Sequence, residues 1–154
     1  MADEHSSFEA HVLTPEGEVF RGEVTQVSTR TQVGDIGILA RHAPTVARLW
    51  PGLLRLHLPG GEVRRYAQGE GWMEVIANRT RVLIVEAIPP KELDVAELKE
   101  RLADADRRLK ETEGEAPEPS ALPGRWKRPG SAANLQAWRD HRRADAFIEI
   151  AEHR

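Results

Sequence analysis

The stretch VGDIGILARHAP, Val33 to Pro44, decides how the first half of this chain is read. Gly34 and Gly37 admit backbone conformations closed to other residues. Ile36, Ile38 and Leu39 supply apolar anchors, while Asp35, Arg41 and His42 are polar groups near a turn and Pro44 stops a strand. A tight corner of a β domain needs the glycines and the anchors. It does not need so many polar groups, so the stretch reads as a loop that presents them.

Strand patterns surround it. Phe8, Ala10 and Val12 alternate with polar neighbours, as in a half-buried strand. Pro15-Glu16-Gly17 is a turn, because proline presets φ and glycine accepts a positive φ. Val19, Phe20, Val24 and Val27 continue the apolar pattern. Leu54, Leu56 and Leu58 alternate with Arg55 and His57, and Pro59-Gly60-Gly61 reverses the chain toward Val63 and Tyr66. Met73, Val75 and Ala77 lead to Asn78-Arg79, which reads as a hairpin tip. The apolar run Val82 to Val85 predicts a strand covered on both faces. Strands recurring at intervals of about 8–12 residues predict an antiparallel β-sandwich over residues 1–90.

Composition changes at Pro89-Pro90. From there to residue 154 the chain predicts a helical domain, with helices over about 94–113 and 131–152. Leu98, Leu102, Ala105 and Leu109 form one stripe of the first helix. Asp94, with Glu97 three residues on, approximates a capping box at its start. Ser131 is placed to cap the second helix, whose apolar residues include Leu135, Trp138, Ala146, Phe147 and Ile150. Neither helix is stable alone in water, so each needs a partner surface. The Pro- and Gly-rich connection 114–130 excludes regular structure. Within it Arg125, Trp126, Lys127 and Arg128 form a possible docking patch beside the plainer reading of a surface insertion. From Arg125 to Arg143 six bases face one acid, whereas Glu92 to Glu113 holds eight acids and five bases. Such complementarity governs the choice of partner more than stability.

The whole chain has 154 residues, 40% apolar and 5% aromatic, with a formal net charge of −3 and no cysteine. That balance predicts no general affinity for nucleic acid. Disulfides and thiolate metal sites are excluded. No apolar run reaches the roughly 20 residues of a membrane span, so direct bilayer insertion is not expected. The acidic, polar MADEHSS start resembles neither a signal nor a transit peptide.

No catalytic constellation emerges. His5, His11, His42, His57, His141 and His153 lack metal-site spacing, and no metal site is expected. His11 and His57 fall in strand patterns and read as surface residues. Gly69-Glu70-Gly71 lacks the helix and lysine of a phosphate loop. The chain is therefore expected not to be an enzyme.

The turn Thr14-Pro15-Glu16-Gly17, the Gly34-Asp35-Ile36-Gly37-Ile38-Leu39 corner with His42-Ala43-Pro44, the Pro51-Gly52-Leu53-Leu54 strand start and Gly69-Glu70-Gly71 stand in an order and spacing that resemble the epsilon subunit of F-type ATP synthases, called delta in mitochondria. The resemblance implies a non-catalytic central-stalk rotor subunit that couples the c ring to the gamma subunit. It implies contact with the polar loops of the c ring through Gly34, Asp35 and Ile36, and with gamma through His42 and Ala47. It also implies that the C-terminal helices regulate ATP hydrolysis by meeting the catalytic alpha/beta subunits, with Arg139, Arg142 and Arg143 facing beta. The implied location is peripheral, on the cytoplasmic face of a bacterial inner membrane. Some members hold ATP through a Leu/Ile-Asp-x-x-Arg-Ala motif. Here Leu93 and Asp94 match, but Glu97 and Leu98 replace the arginine and alanine. An acid where a phosphate partner belongs implies weak or no ATP binding, and no cofactor is expected. The competing reading is a free-standing β-sandwich that binds a ligand or peptide and carries a helical tail. It requires a concave polar groove or an aromatic platform, for which Trp50, Tyr66 and Trp72 are the candidates.

Overall fold

Alternation of apolar and polar residues turns most of the first 88 residues into strands. The computed structural model describes residues 6–112 and 132–153. The strands are β1 (Phe8–Thr14), β2 (Gly17–Val24), β3 (Gln26–Thr31), β4 (Gly34–Leu39), β5 (Thr45–Leu49), β6 (Gly52–His57), β7 (Val63–Gln68), β8 (Gly71–Ile76), β9 (Arg79–Ile84) and β10 (Ala87–Ile88). They hydrogen-bond in the order β10-β7-β6-β3-β5-β8-β9-β1-β2, with β4 joined to β3. The inward residues of these strands form one core, including Phe8, Ala10, Val12, Val27, Ile38, Leu54, Leu56, Met73 and Val82. The expected sandwich is present, and its core is aliphatic.

Four local expectations change. Residues 34–39 are a strand, β4, paired along its length with β3, and not a loop. The turn lies earlier, at Gln32-Val33, where the Thr31 hydroxyl accepts from Val33 N and donates to Gly34 O. Gly34 has φ 131°, which its lack of a Cβ permits, but no positive φ occurs at Gly37. The tip of the β8–β9 hairpin is Ala77-Asn78, both at positive φ, one residue before the expected position. Two consecutive left-handed residues match the twist of a two-residue hairpin, and asparagine tolerates that conformation well.

The third change concerns β9, which is not covered on both faces. Val82 and Ile84 are buried, whereas Leu83 is 49% and the following Val85 60% exposed. Finally, β1 and β9 pair in parallel within an otherwise antiparallel set. That pairing joins the first strand to the ninth, so no local turn announces it.

The chain divides into two compact units. The first ends at Leu93; the second begins at Asp94 and ends at Glu152. In the second unit α1 (Val95–Glu111) and α2 (Ala132–Glu152) pack against each other. Asp94 is the N-cap of α1, its Oδ1 accepting from Ala96 N and Glu97 N. Glu97 does not complete a capping box, because its carboxylate pairs with Arg101 one turn on. Leu98 and Ala105 are buried, and Leu102 and Leu109 are half-buried, as the expected stripe requires. The buried residues of α2 are Asn134, Ala137, Ala144, Phe147 and Ala151; of the apolar residues expected in it Phe147 is buried, Leu135, Ala146 and Ile150 are half-buried and Trp138 is exposed. The proposed patch Arg125 to Arg128 lies outside the described residues.

Candidate functional site

The β3–β4 hairpin carries three of the expected contact residues. Its register sets Arg30 opposite Asp35 and Thr31 opposite Gly34. Arg30 Nε lies 2.6 Å from Asp35 Oδ1, and both side chains are exposed. An exposed pair of this kind contributes about 0–1 kcal/mol, so a cation brought by a partner can share or displace Arg30. Val33 caps the tip at 90% exposure. Ile36 turns inward and packs on the core. The hairpin thus presents one acid on a strand and one apolar side chain at the turn beside it.

His42 sits in the connection to β5. Its Nδ1 lies 2.8 Å from Ala43 O, and Thr45 Oγ1 donates to the same carbonyl at 2.9 Å. A contact to a carbonyl places the proton on Nδ1 and leaves Nε2 as the acceptor of the neutral ring. Asn78 Oδ1 accepts from Arg41 N at 2.8 Å, which ties this connection to the β8–β9 tip. Ala47 lies on the inward side of β5 and packs on the core. The outward neighbour is Val46, 69% exposed.

Val46 belongs to a band that sequence reading missed. Across the outward face, Val46 pairs with Glu74 and Arg48 with Trp72, then Trp72 with Leu83, and Leu83 with Leu13. Trp72 is 54% exposed. Trp72 and Leu83 are therefore direct apolar neighbours on this face, Val46 stands diagonally from Trp72 beside Glu74 and Arg48, and Val85 follows the end of β9. The signal was present in β9: Arg79 and Arg81 mark the outward parity, which Leu83 and Val85 share. Farther along the same face the surface is charged. Glu9 receives Arg79 and Arg21, and those two hydrogen bonds, Arg79 first, hold its carboxyl below the usual range. The other aromatic candidates are not available as a platform, since Tyr66 packs on the core and Trp50 is half-buried.

Gly69-Glu70-Gly71 has a packing role. A Cβ on Gly71 would stand 2.0 Å from Leu83 O, and one on Gly69 would stand 2.5 Å from Val85 Cγ2. These glycines let the strands approach.

In the helical unit the guanidinium of Arg142 lies 4.6 Å over the Trp138 ring, and that of Arg143 4.6 Å over Phe147. Arg139 is half-buried. These contacts orient the cationic side of α2. At the degenerate ATP motif, Leu93 and Leu98 are buried, Asp94 is occupied as the helix cap and Glu97 by Arg101. Nothing in that set supplies a cation for a phosphate. Among the described residues no cluster of His, Asp and Glu could hold a metal ion. No described helix is long and apolar enough to cross a membrane.

Residues 7–90 match the family model described as ATP synthase, Delta/Epsilon chain, beta-sandwich domain. The chain is 40% identical to the ATP synthase epsilon chain of Persephonella marina over 66% of its own length and 75% of that protein. It is 35% identical to the ATP synthase epsilon chain of Dichelobacter nodosus over 70% of its length and 76% of that protein. Its fold matches a chain in the cryo-EM structure of the Euglena gracilis mitochondrial ATP synthase OSCP/F1/c-ring with a TM-score of 0.73 at 23% identity, covering 96% of this chain and 82% of that one.

Proposed function

The chain belongs to the delta/epsilon family of ATP synthase subunits, and from that premise we propose that it is a non-catalytic rotor subunit of an F-type ATP synthase, coupling the c ring to gamma. The observation that carries the reading is the pairing of a stiff, hydrogen-bonded sandwich with two presenting surfaces. A joint that transmits torque needs side chains fixed by a sheet, not swung on a loop.

The β3–β4 hairpin, with Gly34, Asp35 and Ile36 on β4, offers its acid to the basic polar loops of the c ring. The band of Val46, Trp72 and Leu83, entered from His42 and the strand that carries Ala47, offers gamma an apolar face. Trp72 and Leu83 are about half covered and Val46 is about a third covered, so burying the remainder contributes about 1–2 kcal/mol apiece. The contact needs no reacting group, which agrees with a supporting rather than catalytic role. The α1–α2 hairpin supplies regulation of ATP hydrolysis, with Arg139, Arg142 and Arg143 meeting the acidic surfaces of the catalytic alpha/beta subunits. The occupied cap at Asp94 and the acid at Glu97 favour regulation without bound ATP. The subunit sits peripherally at the cytoplasmic face of a bacterial inner membrane, held there by its partners.

The test is Asp35→Arg in the assembled complex. Two like charges at the c-ring contact lower proton pumping per ATP hydrolysed, while hydrolysis persists. Pumping equal to the unaltered complex removes Asp35 from that contact.

A further inference from the structure

We infer that Gln68 is the positioning residue of the β3–β4 hairpin: a buried amide that replaces a missing rung of the sheet and so sets where Asp35 stands. β3 changes partner partway along. Gln26 to Ser28 pair with β6, and Thr31 pairs with Leu49 of β5. Thr29 and Arg30 fall in the gap between those two ladders. Gln68, at the end of β7, fills it. Its Oε1 accepts from Thr29 Oγ1, and its Nε2 donates to Arg30 O at 3.2 Å and to Trp50 O at 2.9 Å. Both amide hydrogens are thereby used, and Gln68 is fully buried.

The junction converges on Arg30. Its carbonyl also accepts from Trp50 N at 3.1 Å. A Cβ on Gly52 would lie 2.5 Å from Arg30 Cβ, so glycine there makes room for it. The side chain of Arg30 then reaches Asp35. One chain of contacts runs from the buried amide through the Arg30 backbone to the exposed carboxylate. A hydrocarbon in place of Gln68 would strand the Thr29 hydroxyl and take one donor from each carbonyl in a place water does not reach, and such losses exceed the worth of a bond made in solvent. The functional consequence rests on the reading of Asp35 as the c-ring contact. The structural part does not.

The test uses Gln68→Met and measures amide hydrogen exchange in the full chain. Exchange over residues 29–36 quickens about tenfold more than at Val12 and Val82 on the β1–β9 pair. A uniform acceleration, or none, overturns the inference. Should Gln68→Met not fold, Thr29→Val removes one bond of the set, and a few-fold acceleration confined to the same segment is expected. In the assembled complex Gln68→Met lowers proton pumping per ATP, and the loss disappears when Asp35→Ala is already present. An equal, additive loss in that background contradicts positioning through Asp35. Local loosening with unaltered pumping supports the positioning of the hairpin and discards its contact with the c ring.

Discussion

The sandwich and the helical hairpin are held by different forces. In the sandwich, hydrogen-bonded strand ladders enclose a largely aliphatic core from Phe8 to Ile84. In the hairpin, the buried line of α2 is mostly alanine, with Phe147 its one large apolar side chain. Polar pairs cross between its helices: Lys99 with Glu152, Asp106 with His141, Arg108 with Asp140, and Asn134 with Thr112. Aliphatic burial is large and insensitive to salt. Exposed ion pairs contribute about 0–1 kcal/mol each and are screened. The difference separates a rigid part suited to carrying force from a part of low stability suited to rearrangement.

Three changes probe that contrast, in descending size. Gly71→Ala strikes the rigid part, because the new methyl meets the Leu83 carbonyl at 2.0 Å. Urea unfolding is expected to show a loss of about 3 kcal/mol. A variant as stable as the parent would mean that the sheet yields more readily than the contrast allows. Asp94→Ala strikes the weak part by removing the cap that accepts from Ala96 N and Glu97 N. It costs about 1 kcal/mol, visible as lost helical circular dichroism with the sandwich signal intact.

The smallest effect is acid. Asp104 is held below its ordinary 3.8, first by the Arg107 hydrogen bond and then by the charges of Arg108 and Arg107. A carboxyl with a lowered pKa contributes stability that is complete above its unfolded value and is lost as pH falls through its folded value. Helicity should therefore hold from pH 7 down to about 4 and decline only below that. A decline already complete above pH 5 would contradict this account of Asp104.

Much of this was legible from local pattern. The alternation of Phe8, Ala10 and Val12 located a strand, and the cap at Asp94 started a helix where it was expected. What was hidden was non-local. Residues 34–39 looked like a loop because Gly34 and Gly37 weaken strand propensity, yet pairing with β3 overrides it. The run at Val82 to Val85 hid an outward-facing Leu83 behind its apolar neighbours. In α2 the buried residues besides Phe147 are small or polar, Ala137, Ala144, Ala151 and Asn134, which apolar size does not pick out. Gln68 had no pattern at all, since one amide at a strand end acquires meaning only when Arg30 and Trp50 converge on it.

The most direct test is the affinity of the full chain for the purified gamma subunit, before and after placing glutamate at both Val46 and Leu83. These side chains are outward, Val46 mostly and Leu83 half exposed, so the fold should be retained, with the melting temperature as the check. Burying two charges in an apolar contact is expected to weaken binding by at least about a hundredfold. Undiminished affinity for gamma would contradict the account.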